Sequence, residues 1–135
     1  MELDELARPE AHLGPDARPA RIGGFGEYAQ AAGVDSVIRL KQAHITDLRP
    51  PAETRDRPGA IVMNPPYGER MEKDDTNELY SLMGSTFKRE YAGYDCWVIS
   101  SNMAALKKVG LNPSRRIVVY NGALECRFMK FSIYK

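Results

Sequence analysis

The stretch NPPYGER, residues 64 to 70, follows the apolar run Ala60-Ile61-Val62-Met63. Pro65 and Pro66 have ring-fixed φ and no N–H to donate. Each proline also holds the residue before it extended, so Asn64 and Pro65 are constrained in turn. The spacing predicts a stiff elbow whose carbonyls lack intrachain partners, with the side-chain oxygen of Asn64 as a further acceptor. An exocyclic amine of a nucleobase carries two N–H donors and would meet such a pair of acceptors. Tyr67 offers a flat face for stacking the base, a contact worth ~1–3 kcal/mol in single-strand recognition. Gly68 lets the backbone pass close to a ligand.

The chemistry this arrangement suggests is methyl transfer to a base amine. That nitrogen is a poor nucleophile because its lone pair is shared with the ring. Acceptors pulling on both N–H groups return electron density to it and hold it in line with a methyl donor. The gain is orientation and preset electrostatics. The base must be single-stranded or flipped out of a helix to enter. The plainer alternative is a Pro-Pro turn with a tyrosine packed beneath it.

The elbow needs a frame. Ala60–Met63 has the pattern of a strand buried on both faces, and so does Cys96–Ser100. Asp75, with Glu78 three residues later, predicts a capped helix start. Leu79, Leu82, Met83 and Phe87 then form one apolar face to about Tyr91, and Gly93 ends the segment. Residues 103–109 predict a short helix closed by Gly110. Residues 117–120 and 124–134 predict two strands around Asn121-Gly122, a strong hairpin signal. Earlier, residues 2–7 suggest a helical turn, 19–32 a weak helix interrupted by Gly23, Gly24 and Gly26, and 37–41 a short strand. Residues 48–58, with three prolines and many charges, predict a surface loop.

Helices alternating with buried strands predict an α/β fold in one domain spanning residues 1–135, with a mainly parallel sheet and an antiparallel C-terminal hairpin. Ligands in such sheets bind beyond the carboxyl ends of the strands, where residues 64–67 fall. At 135 residues the chain has room for one core. Its net charge of +1 supplies no whole-chain field for nucleic acid, so an RNA role needs a local patch. Cys96 and Cys126 form no CxxC pair and suit reduced, half-buried thiols in the cytoplasm. Two histidines without clustered cysteines argue against a metal site. The N-terminus has no apolar signal core, and no apolar run nears the ~20 residues of a membrane span.

Three stretches resemble the catalytic domain of THUMP-containing RNA guanine-N2 methyltransferases, in particular bacterial large-subunit ribosomal RNA methyltransferases. They are NPPYGER (64–70), ELYSLMGSTFKREYAGYDCWVIS (78–100) and NGALECRFMKFSIY (121–134). GPDARPARIGGFGEYAQAAGV (14–34) extends the likeness upstream. The resemblance implies a Rossmann-like fold, S-adenosylmethionine as cofactor and ribosomal RNA as substrate. It places Asn64, Pro65, Pro66 and Tyr67 in catalysis, and Asp16, His44 and Asn64 at the cofactor. Adenine N6 is the alternative target, because NPPY serves that amine too; the segment 121–126 argues for guanine.

The sequence departs from the family pattern in three ways. The family's first strand and its glycine-rich cofactor loop lie upstream of everything here, so the chain reads as a fragment whose missing region would carry them and a THUMP domain. GGFG, at 23–26, falls in the wrong register to replace that loop. His44 stands where an acid contacts the cofactor adenine, and Arg18 and Tyr28 replace an expected acid and asparagine. These departures keep open a rival reading, a non-catalytic remnant that binds RNA or protein. Lys107, Lys108, Arg115 and Arg116 are candidate phosphate contacts or simply a solvated face. Glu69 and Arg70 either brace the loop or orient substrate. Trp97 reads as core packing.

Overall fold

The structure is a computed structural model that describes residues 2–6, 27–54, 56–66 and 71–134. The chain divides into two compact units, Met1–Leu48 and Arg49–Lys135.

In the first unit, strand β1 (Glu2–Leu6) pairs antiparallel with β2 (Leu40–His44), Glu2 opposite His44 and Leu6 opposite Leu40. The helical turn expected at 2–7 is therefore a strand. So short a helix would carry the full nucleation cost for one or two hydrogen bonds, whereas β2 supplies a five-residue ladder. The strand expected at 37–41 lies three residues later, because residues 35–37 turn and the pairing with β1 sets the ends. Residues 27–31 are helical and form α1, the described end of the helix expected at 19–32. Gly33, at φ 72°, follows it as a helix-terminating glycine does.

The second unit holds a four-stranded sheet in the order β3-β4-β6-β5. Its strands are β3 (Ala60–Met63), β4 (Asp95–Ser100), β5 (Arg115–Asn121) and β6 (Leu124–Ser132). Helix α2 (Lys73–Glu90) links β3 to β4, and α3 (Met103–Lys107) links β4 to β5. The β3–β4 pair is parallel, with Met63 beside Val98. The β4–β6 and β5–β6 pairs are antiparallel. The α/β expectation holds, but the sheet is mixed: among the described strands the parallel part is this one pair.

Cys96, Val98 and Ser100 of β4 are fully buried while Asp95, Trp97 and Ile99 between them are half-buried. The two-sided burial expected for β3 and β4 is thus one-sided. Val62, on the outer face of β3, is 69% exposed. A four-residue apolar run cannot by itself reveal which face is covered. On the half-buried side Trp97 stacks on Phe128 of β6 with ring centroids 4.6 Å apart.

Helix α2 buries Thr76, Leu79, Tyr80, Met83, Gly84, Thr86 and Phe87. It starts at Lys73, two residues before the expected capping box. Glu72 occupies the N-cap without a side-chain cap, and Asp74 and Asp75 lie in the first turn, where the helix dipole favours them. Gly93 (φ 88°) closes the exit from α2 by donating to the Ile133 carbonyl at 2.6 Å. The hairpin turn sits one residue later than expected. Asn121 pairs with Leu124, so Gly122 and Ala123 are the central residues, and Gly122 alone has positive φ, the pattern of a type II′ turn.

Candidate active site

Asn64, Pro65 and Pro66 leave the carboxyl end of β3, beside its parallel neighbour β4. Asn64 is exposed, Pro65 is among the most deeply buried side chains, and Pro66 is exposed. The elbow thus roots one proline ring in the core and turns the asparagine outward.

The Pro66 carbonyl is not free, contrary to the reading of the elbow from its sequence. It accepts a hydrogen bond from the Tyr80 hydroxyl at 3.1 Å. Tyr80 Oη also lies 2.7 Å from Ser100 Oγ, and both side chains are 0% exposed. Ser100 Oγ accepts from the Asn102 backbone N–H at 3.0 Å. The side chain of Asn102 accepts from Ala105 N–H at 2.9 Å and caps α3. A carbonyl can only accept and a backbone N–H can only donate. The proton order is therefore set: Asn102 N–H to Ser100, Ser100 O–H to Tyr80, Tyr80 O–H to Pro66. This relay, buried at its Tyr80–Ser100 contact, ties the carboxyl ends of β3 and β4 to α2.

Sequence reasoning missed Tyr80, Ser100 and Asn102. Tyr80 sits on the apolar stripe of α2 beside Leu79 and Met83, and a tyrosine there reads as packing. The available signal was that a buried tyrosine hydroxyl needs a partner.

His44 belongs to the first unit. It ends β2 and caps the 3₁₀ turn Ile45–Asp47: its Nδ1 accepts from Thr46 N–H at 3.3 Å and lies 2.8 Å from Thr46 Oγ1. Accepting at Nδ1 places the proton of the neutral ring on Nε2. Asp16, Tyr67, Glu69 and Arg70 lie outside the described residues, as do Gly68, Arg18 and the 23–26 glycine cluster.

Lys107, Lys108, Arg115 and Arg116 are all exposed. In the hairpin, Glu125 accepts from Arg127 at 2.8 Å and from the Tyr120 hydroxyl at 3.2 Å. The hydrogen bond and charge of Arg127, with the Tyr120 hydroxyl, hold the Glu125 carboxyl below its ordinary range. Both cysteines are free and fully buried, deeper than the half-burial expected. The described residues contain no group of three or more metal-ligating side chains. No described helix is long and apolar enough to cross a membrane.

A rigid elbow beyond parallel strand ends, in a mixed α/β sheet, is the architecture of methyltransferase-like domains, and comparison with solved structures agrees. A possible methylase from Clostridium difficile 630 superposes with a TM-score of 0.69 at 30% identity, over 81% of this chain and 28% of that one. SMU.472, solved in complex with SAH, superposes with a TM-score of 0.69 over 90% of this chain and 39% of that one; at 21% identity it shows the fold alone. Residues 2–130 match the UPF0020 family, described as an RMKL-like methyltransferase domain, and the chain belongs to that family. The ribosomal RNA large subunit methyltransferase K/L of Syntrophotalea carbinolica is 33% identical over 141 aligned residues, which take in 97% of this chain. The chain spans only a fifth of that relative's length.

Proposed function

We propose that this chain is the elbow-bearing part of an S-adenosylmethionine-dependent methyltransferase acting on the N2 amine of guanine in ribosomal RNA. The observation that carries the reading is the elbow itself: a stiff Asn-Pro-Pro unit at the carboxyl end of β3, rooted by the buried Pro65 ring and the Tyr80 bond, with Asn64 facing outward.

Asn64 Oδ1 and the Pro65 carbonyl accept the two N–H bonds of the guanine amine, and Tyr67 stacks on the single-stranded or flipped base. The cofactor supplies an electrophilic methyl group on sulfur. Asn64 and the Pro65 carbonyl would hold the amine lone pair in line with that methyl group, and solvent would take the proton that the amine gives up. Asp16 is assigned to the cofactor ribose and His44 to its adenine edge. Exposed Asn64, beyond a parallel strand end, suits a ligand-facing acceptor. The reading includes a partner region, carrying a glycine-rich cofactor loop and a THUMP domain, to complete the enzyme in the cytoplasm.

Calorimetry with S-adenosylmethionine tests the cofactor assignment, with Asp16→Ala as control. Micromolar binding that the control loses would mean that the chain holds the cofactor without the glycine-rich loop. Incubation with labelled cofactor and ribosomal RNA, followed by digestion to nucleosides, tests the target. N2-methylguanosine is expected; N6-methyladenosine would move the assignment to adenine. A folded chain that binds RNA but neither cofactor nor methyl label would be a fragment awaiting that partner region or the non-catalytic remnant. The local capping role of His44 Nδ1 is the observation that favours that second reading.

A further inference from the structure

Within the Pro65-Pro66 pair of the elbow one backbone dihedral is soft. The φ of Pro65 and of Pro66 is closed by the rings. The ψ of Pro65 is restricted by the proline that follows. The ψ of Pro66 is held by no ring and sets the direction of its carbonyl. That carbonyl is the atom to which Tyr80 donates, at 3.1 Å. Fixing this ψ sets the direction of the peptide that leads on to residue 67 and ties Pro66, with the buried Pro65 ring behind it, to α2.

Resting on the reading above, we propose that Tyr80 is a positioning residue of the site, and that Ser100 is the group that aims it. Through them the relay from Asn102 fixes the one soft dihedral of the Pro65-Pro66 pair. A tyrosine hydroxyl has one proton. Ser100 donates to Tyr80 Oη at 2.7 Å, and Ser100 Oγ is itself supplied by Asn102 N–H at 3.0 Å. The Tyr80 proton is thereby committed to Pro66 and cannot be spent on Ser100. The relay occupies a lone pair of the Pro66 carbonyl and leaves the Pro65 carbonyl, with Asn64, as the acceptor pair presented to a substrate amine. Neither Tyr80 nor Ser100 touches the reacting atoms; they act through Pro66.

The test has two arms. Pro66-Tyr67 is the only Pro-Tyr step in the sequence. A chain labelled with ¹³C at proline carbonyls and ¹⁵N at tyrosine therefore gives one carbonyl–amide cross-peak, which reports on the Pro66 carbonyl. Tyr80→Phe is expected to move that carbon upfield, as loss of an accepted hydrogen bond does, and Ser100→Ala to move it part of the way. Ser100→Thr, which keeps a hydroxyl, is expected to leave it near the wild-type position. An unmoved peak in a folded Tyr80→Phe chain overturns the proposal; if that variant fails to fold, the Ser100 pair decides by the same criterion.

The second arm reads methyl transfer to ribosomal RNA. Tyr80→Phe is expected to lower kcat on the order of ten- to a hundred-fold, as small misplacements of reacting groups do, with KM for cofactor changed less than about two-fold and kcat restored in Ser100→Thr relative to Ser100→Ala. A moved peak with kcat kept within about two-fold overturns the positioning role. Absence of turnover by the wild-type chain together with the partner region refutes the enzyme reading and with it the catalytic part of this proposal, while the cross-peak still decides whether the relay holds the elbow.

Discussion

Gly84 of α2 lies directly against the backbone carbonyl of Val109, in the turn that follows α3, so that a Cβ on residue 84 would overlap the Val109 oxygen. Glycine inside a helix ordinarily costs ~1 kcal/mol relative to alanine. Here that cost permits α2 to approach backbone, which cannot swing aside as a side chain can. Gly84→Ala is therefore expected to destabilise the chain by about 1–3 kcal/mol, the overpacking range, despite the gain in helix propensity. Urea unfolding measures it; an unchanged or higher midpoint would show that α2 and the Val109 turn separate freely.

The Tyr80–Ser100 pair makes a separate prediction about stability. Truncating one member of a buried hydrogen-bonded pair strands the other, at a cost of about 1–3 kcal/mol. Tyr80→Phe and Ser100→Ala should each lower the unfolding free energy by that order. The double variant should cost less than the sum of the two, since the shared bond is lost only once. Strict additivity in the double-mutant cycle would mean that the 2.7 Å contact carries no coupling.

Asn64 should behave in the opposite way. It is exposed, so Asn64→Ala is expected to leave the thermal midpoint within about 1 °C of wild type, as surface substitutions do. If its amide accepts from the reacting amine, methyl transfer should fall on the order of 10²–10³-fold, the loss typical of a preorganised polar group at a reacting centre. Activity kept within an order of magnitude would remove Asn64 from the mechanism.

Cys96 gives the chain a pH dependence on the alkaline side. Burial, reinforced by the nearby Asp95 charge, pushes its thiol from the ordinary 9.0 up to about 12. The unfolded chain loses this proton above pH 9 while the folded chain retains it. The stabilising contribution is thus complete below pH 9 and lost as pH rises from 9 to 12, by at most about 1.4 kcal/mol per unit. Urea midpoints at pH 8, 9, 10 and 11 should fall more steeply in wild type than in Cys96→Ala. Iodoacetamide should label Cys96 slowly at pH 8 in buffer and rapidly in urea. Free-thiol labelling rates in the folded chain would contradict the burial.

The elements around the site were legible wherever local chemistry dictated them. Four apolar residues before two prolines announce a strand that must stop, and β3 stops there. The α2 stripe appears where Leu79, Met83 and Phe87 recur at helical spacing. Misreadings cluster where a partner decides. Residues 2–6 become a strand because β2 is there to pair with them. The start of α2 and the hairpin turn shift by one or two residues because packing and register, not the nearest capping or turn residue, set the ends.

The sequence by itself determined the stiffness of the elbow, since proline rings and their steric reach act within two residues. It also carried the family resemblance, through NPPYGER and the hairpin segment. Only the tertiary structure decided where the elbow is anchored. Tyr80 stands 14 residues from Pro66, and Ser100 a further 20 residues on. The direction of each proton between them follows from which atoms meet in the folded chain. Likewise only the fold decided that β4 buries Cys96, Val98 and Ser100 while Trp97 and Ile99 stay half-exposed. An apolar strand is equally suited to cover on either face, and what lies against it comes from elements distant along the chain.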